Sequence, residues 1–265
     1  MENPTQSTCT ILNVQVDNLS MNEAISQIDH GFIVTPNVDH LINLQKDEDF
    51  FKAYESADYR LCDSQILVRV SQFLGTPIKQ KITGSDFFPT FCQFHCANTN
   101  VRIFLLGGAS NSPYLAAKNI NDRLGHTIIV GGYSPPFGFE NDPDECMHII
   151  RLIKESGATV LAVGVGAPKQ EKWIATYRYR LPSIKIFMAI GATIDFEAGN
   201  LRRAPSWSQN MGLEWLYRLL SEPKRLWRRY LINDPPFFYL VLKQRIGLYR
   251  SPFQKTPLNS QISAR

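Results

Sequence analysis

Three sets of residues have the types and spacing to do chemistry. Glycines recur at Gly107-Gly108, Gly131-Gly132, Gly164 with Gly166, and Gly191, each closing a short apolar run. Glycines at the carboxyl ends of parallel strands let backbone N–H groups and helix N-termini converge on an anion, which suits a nucleotide or nucleotide-sugar. The plainer reading is a series of turns that need glycine. Gly164-Val165-Gly166 lacks the third glycine and the downstream acid of a dinucleotide fingerprint. Asp63 directly precedes an apolar-periodic stretch, and its rival Asp39 lies just past another apolar run. Both read as helix N-caps. A helix N-terminus also favours a charged carboxylate, so Asp63 is equally suited to accept a proton from an attacking hydroxyl.

The third set is the tail. Arg218, Arg225, Arg228 and Arg229 are interleaved with Trp215, Tyr217, Trp227 and Tyr230. Through Leu201 there are 16 Lys and Arg against 21 Asp and Glu; from Arg202 onward there are 12 against 3. A net charge of +4 therefore conceals an acidic body and a basic, aromatic tail. Three readings compete for it: an anionic lipid surface with aromatics at headgroup level, nucleic acid with stacked bases, or guanidinium forks on a diphosphate.

The remaining clusters read as structure. Asp47-Glu48-Asp49 and Asp142-Pro143-Asp144 resemble metal-binding acid pairs, but each begins a helix-like stretch where acids suit the dipole. Cys92, His95 and Cys96 lie in an apolar helix-like stretch with no second ligand pair. The expectation is no essential metal and no cofactor.

Alternating elements must position these groups. Strands are predicted over 32–34, 101–106, 127–130, 159–163 and 184–190, and helices over 113–124, 142–156 and 168–179. Ser20, three residues before Glu23, opens a further helix as a capping box. Strands alternating with helices imply right-handed crossovers. The fold class is α/β, a mostly parallel Rossmann-like sheet with helices on both faces. After Leu201 only helices are predicted, over 206–220, 226–231 and 237–248, forming a helical C-terminal appendage. The expected division is a catalytic domain over 1–201 (a base half over 10–97, a nucleotide half over 98–201), the appendage over 202–250, and a frayed tail over 251–265. No apolar run approaches the roughly 20 residues that span a bilayer, and Met1 is followed by polar residues rather than a leader pattern. Five cysteines without a CxxC pair indicate reduced thiols facing the cytoplasm.

Several segments together resemble one family. They are Thr35-Pro36-Asn37-Val38-Asp39-His40, Cys62-Asp63, Thr83-Gly84-Ser85-Asp86, Pro168-Lys169-Gln170-Glu171, Gly191-Ala192-Thr193-Ile194-Asp195-Phe196, and Gly212-Leu213-Glu214-Trp215-Leu216-Tyr217-Arg218 followed by Glu222-Pro223-Lys224-Arg225. In unbroken order they resemble the WecG/TagA/CpsF glycosyltransferases, glycosyltransferase family 26. The resemblance implies an inverting, metal-independent enzyme that moves a sugar from a UDP-sugar donor to a polyprenyl-diphosphate-linked acceptor. The sugar is of N-acetylmannosamine type, a uronic acid or glucose, destined for teichoic acid or another cell-surface polysaccharide. It implies Asp63 as the base, Thr35, Asn37 and Gln170 as pocket residues, and Lys81 at a position that holds phosphate or sugar; Asp39, Asp195 and the glycines Gly107, Gly132, Gly164 and Gly191 complete the candidate substrate-binding set. Arg218, Arg225 and Arg228 fall near a diphosphate. The appendage is implied to dock peripherally on the cytoplasmic face of the membrane, with no nucleic acid as partner; a homo-oligomer is compatible with this picture. Two residues depart from the family pattern. Ser64 replaces a glycine after the base, narrowing the pocket or adding a hydroxyl contact. Lys81 replaces an arginine, keeping the charge but losing the bidentate fork. Outside the resemblance, the parallel sheet and Gly-x-Gly also fit a nucleotide-binding oxidoreductase, and the tail fits a nucleic-acid-binding module.

Overall fold

The computed structural model describes residues 8–205, 214–221 and 223–253. A hairpin of β1 (Thr8–Ile11) and β2 (Val14–Asp17) precedes a six-stranded sheet. Its strands are β3 (Gly31–Val34), β4 (Tyr59–Arg60), β5 (Ile103–Gly107), β6 (Ile129–Tyr133), β7 (Val160–Gly164) and β8 (Ile186–Ala189), in the order β4-β3-β8-β7-β5-β6. Every pairing is parallel. A parallel sheet is covered on both faces, so its strands are apolar at successive positions rather than alternate ones. In β5, Ile103 and Leu105 enter one core layer while Phe104 and Leu106 enter the other.

One face carries α1 (Met21–Gln27), α5 (Gly84–Phe94), α6 (Ser112–Leu124) and α9 (Thr193–Glu197). The other carries α2 (Val38–Asn43), α3 (Glu48–Glu55), α4 (Gln65–Leu74), α7 (Pro143–Glu155) and α8 (Lys169–Tyr177). The chain leaves β5 through α6 on one face and returns to β7 through α7 on the other. The crevice between β5 and β7 is therefore a switch point, where open α/β sheets bind ligands.

Local chemistry sets the helix starts. Ser20 and Glu23 form the expected capping box on α1. Asp47 accepts from the Phe50 N–H to cap α3, and Asp142 accepts from the N–H groups of Asp144 and Glu145 to cap α7. Both acid pairs are thus helix starts. Cys92 is buried on the inner side of α5 beside Phe88 and Phe91. Asp63 and Asp39, however, are not N-caps. Ser64 caps α4 by accepting from the Leu67 N–H, and Asn37 caps α2 by accepting from the His40 N–H. In each case a neighbouring short polar side chain took the cap, displacing the aspartate by one or two residues.

The C-terminal part forms α10 (Glu214–Ser221), α11 (Pro223–Arg228), a π-helical turn (Arg229–Asn233) and α12 (Pro236–Arg245). Phe237 and Val241 of α12 are buried in the body's core. The Gln244 amide also ties this helix to the hairpin, accepting from the Leu12 N–H at 2.8 Å and donating to the Thr10 carbonyl at 2.8 Å. The expected helix residues Trp207, Met211 and Leu213, and residues 254–265 of the expected frayed tail, lie outside the described residues. Among the described residues, no helix is long and apolar enough to cross a membrane.

Candidate active site

Two cavities open along the carboxyl edge of the sheet. The first, about 310 Å³, is lined by Asn37, Asp63, Ser64 and Lys81 from the body and by Trp215, Arg229, Tyr230, Asp234 and Phe238 from the C-terminal helices. Backbone hydrogen bonds knit its body wall. The Leu61 N–H donates to the Val34 carbonyl, the Asp63 N–H to the Pro36 carbonyl and the Ile82 N–H to the Cys62 carbonyl. Three segments far apart in sequence thus run side by side, bringing Asn37, Asp63 and Lys81 together. Asp63 is half-buried there, and with the Ser64 hydroxyl occupied in capping, the carboxylate is not the group that closes the helix end.

Charges inside this cavity are incompletely matched. Arg229 Nε lies 3.5 Å from Asp39 Oδ1 and 4.0 Å from Asp234 Oδ2. Both distances exceed a hydrogen bond, and Arg229 Nε and Asp234 Oδ1 are buried without a hydrogen-bond partner. Burial pushes the Asp234 carboxyl up to about 6, with the Arg229 charge pulling the other way. Next to Asp39, His40 is buried with Nδ1 2.6 Å from the Tyr54 hydroxyl. Burial, reinforced by the Arg229 charge, drives the His40 imidazole down to about 3, so it is neutral at physiological pH. Burial raises the Tyr54 phenol well above its ordinary value, and the charges of Glu171, Asp63 and Asp39 add to that.

The second cavity, about 440 Å³, occupies the switch point. Gly107, Gly108, Gly164, Gly166, Gly191 and Asp195 line it, with Pro135, Phe137, Glu140 and Lys169 at its mouth. Its walls are backbone in near-contact: a Cβ on Gly107 would come within 2.5 Å of the Gly164 carbonyl oxygen, and one on Gly164 within 2.5 Å of the Gly191 oxygen. Asp195 Oδ1 accepts from the Ala109 N–H at 2.9 Å and from the Ser112 hydroxyl at 2.6 Å, pinning the loop after β5. Lys169 pairs with Glu140 and lies 4.3 Å from the centre of the exposed Phe137 ring.

The sequence-predicted residues divide accordingly. Asn37, Asp63 and Lys81 meet in the first cavity; Gly107, Gly164, Gly191 and Asp195 meet in the second. Asp39 stands behind the first, against Arg229. Thr35 is buried at the end of β3 and lines neither cavity. Gly132 also lies apart, and a Cβ there would meet Pro113 of α6 at 2.6 Å, so it serves helix packing. Gln170 is buried, with Oε1 accepting from the Gly191 N–H at 3.1 Å and Nε2 donating to Glu171 at 2.8 Å. Arg228 is exposed at the end of α11, and the side chains of Arg218 and Arg225 lie outside the described part. Sequence reasoning placed Arg229 among the tail cations only; its position one residue past α11, in the π-helical turn, aims it inward. Lys169 and Phe137 were also missed, although Pro135-Pro136-Phe137-Gly138 is a recognisable loop signal.

A backbone-walled crevice at the switch point, beside a cavity that holds a carboxylate and cations, defines an α/β enzyme of the group-transfer class. The model of the glycosyl transferase WecG/TagA/CpsF family matches residues 9–251, and the chain belongs to that family; it is a glycosyltransferase. It is 32% identical over 215 residues to an N-acetylglucosaminyldiphosphoundecaprenol N-acetyl-beta-D-mannosaminyltransferase of Bacillus spizizenii, covering 80% of this chain and 79% of that protein. A protein of the same name from Bacillus subtilis is 28% identical over 243 residues, covering 89% of this chain and 91% of its own length.

Proposed function

We propose that the protein transfers N-acetylmannosamine from a UDP-sugar to an N-acetylglucosaminyl-diphosphate-polyprenol on the cytoplasmic face of the membrane. The observation that carries this reading is the first cavity, where Asp63 and Lys81 of the body meet Trp215, Arg229 and Tyr230 of the C-terminal helices. The lipid-linked acceptor enters there and the nucleotide occupies the glycine crevice. The acceptor hydroxyl attacks the anomeric carbon, its proton passes to Asp63, and the bond to the nucleoside diphosphate breaks. Attack opposite the leaving group inverts the centre, and inversion of an α-linked sugar nucleotide yields the β linkage named in the relatives.

The transition state is oxocarbenium-like and the leaving diphosphate gathers negative charge. In this reading, backbone N–H groups and Lys169 along the glycine crevice, with Lys81 in the neighbouring cavity, take up that charge in place of a metal. Arg218, Arg225 and Arg228 are assigned to the acceptor diphosphate or the lipid surface. Leu220, Trp227, Leu231 and Ile232 are exposed beside Lys224 and Arg228, a composition suited to the headgroup region. The names borne by the two relatives favour N-acetylmannosamine over the uronic acid or glucose donors also known in the family.

A panel of UDP-sugars offered with a short-chain polyprenyl-diphosphate-GlcNAc acceptor tests this. A product heavier by one N-acetylhexosamine, formed from UDP-N-acetylmannosamine in the presence of chelator, is expected. A product from another donor alone would overturn the sugar assignment, and activity abolished by chelator would overturn metal independence.

A further inference from the structure

Glu171 is the most deeply buried charged residue of the described chain, with 0% of its surface exposed. Its Oε1 accepts from Gln170 Nε2 at 2.8 Å, while its Oε2 is buried with no hydrogen-bond partner. The influences on its acidity are burial first, then the Gln170 amide and its own backbone N–H, and no cation. Burial pushes the carboxyl up to about 7. Across α3, the titratable group that faces it is Tyr54, whose phenol its charge helps to raise. A buried carboxyl without a counter-ion weakens a fold, and an apolar side chain of similar volume would sit there at lower cost. Its contribution has to lie in what it holds.

What it holds is an orientation. A side-chain amide has one accepting and one donating end, and its neighbours decide which way it turns. Glu171 offers Oε1 as an acceptor in either protonation state, which draws the Nε2 end of Gln170 towards α8 and leaves Gln170 Oε1 facing the Gly191 N–H, 3.1 Å away. Gly191 has φ +56° and lines the crevice at the end of β8. Its carbonyl oxygen stands so close to Gly164 that no Cβ would fit between them. We infer that Glu171 is a positioning residue for the glycine crevice: it fixes the Gln170 amide and, through it, the Gly191 peptide that shapes the wall facing the donor nucleotide. This rests on the crevice being the nucleotide site.

Two variants of the full chain test it by two readouts. E171M removes the acceptor at nearly constant volume, and E171Q restores it through the amide oxygen. Hydrogen exchange at the Gly191 amide is expected to accelerate at least 10-fold in E171M and to return to within 3-fold of wild type in E171Q. UDP affinity is expected to fall at least 10-fold in E171M and to recover in E171Q, while the Tm of E171M equals or exceeds that of wild type. Unchanged Gly191 exchange in E171M would overturn the inference. So would a lowered Tm shared by both variants, which would mark Glu171 as packing alone. If wild type binds no UDP, the nucleotide reading of the crevice fails, and the Gly191 exchange rates still decide the role of Glu171.

Discussion

The two cavities on the carboxyl edge are built on opposite principles. The glycine crevice is made of backbone: three neighbouring strand ends, Gly107, Gly164 and Gly191, stand where sheet pairing puts them. The Asp63 cavity is made of side chains from Asn37, Asp63, Lys81, Trp215, Arg229 and Asp234, and it is complete only when the C-terminal helices lie against the body. A site made of paired backbone tolerates little change in its walls and takes its shape from the sheet, with Asp195 and Gln170 holding its loops from the flanking helices. A site assembled from distant segments depends on contacts that can be altered one side chain at a time.

Asp63→Asn should separate the two most sharply. Loss of the proposed general base is expected to lower kcat by about 10²–10⁴-fold, while UDP affinity changes less than about 2-fold, measured by turnover and calorimetry. A matching loss of UDP affinity would mean that the cavities act as one. Gly164→Ala is the converse test. Its Cβ would stand 2.5 Å from the Gly191 oxygen, so UDP binding should be lost and stability should fall by about 2–3 kcal/mol. Gly166→Ala is its control: nothing lies within 4 Å of the added carbon, and φ +86° alone should cost about 1–2 kcal/mol in denaturant unfolding.

Arg229→Met targets the seam between body and C-terminal helices. It removes the cation facing Asp39 and Asp234, so acceptor KM should rise about 10-fold with donor KM unchanged, consistent with an interaction worth about 1.4 kcal/mol. Equal changes in both constants would place Arg229 outside the acceptor side.

The smallest expected effect is on pH-dependent stability, where the two regions pull in opposite directions. Glu171 is raised to about 7 in the fold from 4.5, so its contribution is fully present below pH 4.5 and is lost as pH rises through 7. His40 is lowered to about 3 from 6.5, so the fold weakens as pH falls from 6.5 towards 3. Glu171→Gln should therefore match wild-type Tm near pH 4.5 and exceed it by several degrees at pH 8, an effect bounded by about 3 kcal/mol. A difference that does not vary with pH would remove Glu171 as its source.

The crevice was legible because glycine at the end of an apolar run is a backbone statement, and pairing of parallel strands turns three such statements, at Gly107, Gly164 and Gly191, into one edge; Gly131 and Gly132 lie within β6 instead. The first cavity was legible only in its body half. Asp63 stood out by preceding a helix, yet the cap belongs to Ser64, because helix ends are fixed to one residue only when competing side chains settle in three dimensions. Arg228 and Arg229 are neighbours in sequence and indistinguishable by type; the π-helical turn aims Arg229 at Asp39 and leaves Arg228 exposed. Lys169 and Glu171 were visible only as members of the Pro168–Glu171 motif and Phe137 only as part of a loop; what each does depends on the burial of Glu171 against Gln170 and on the meeting of Lys169 with Glu140 and the exposed Phe137 ring, which no short window of sequence shows.

By itself, the sequence determined the α/β class, the edge along which the two cavities open, the acidic body with its basic aromatic tail, and the choice of Asp63, which lines the first cavity. These follow from period, glycine placement and charge, which are properties of short windows of chain. Only the tertiary structure decided which arginine turns inward, that Gln170 is held between Gly191 and Glu171, and that Phe237 and Val241 of α12 pack into the body's core. Those depend on which side chains lose water and which partners they then meet, and desolvation is a property of the packed molecule rather than of any segment within it.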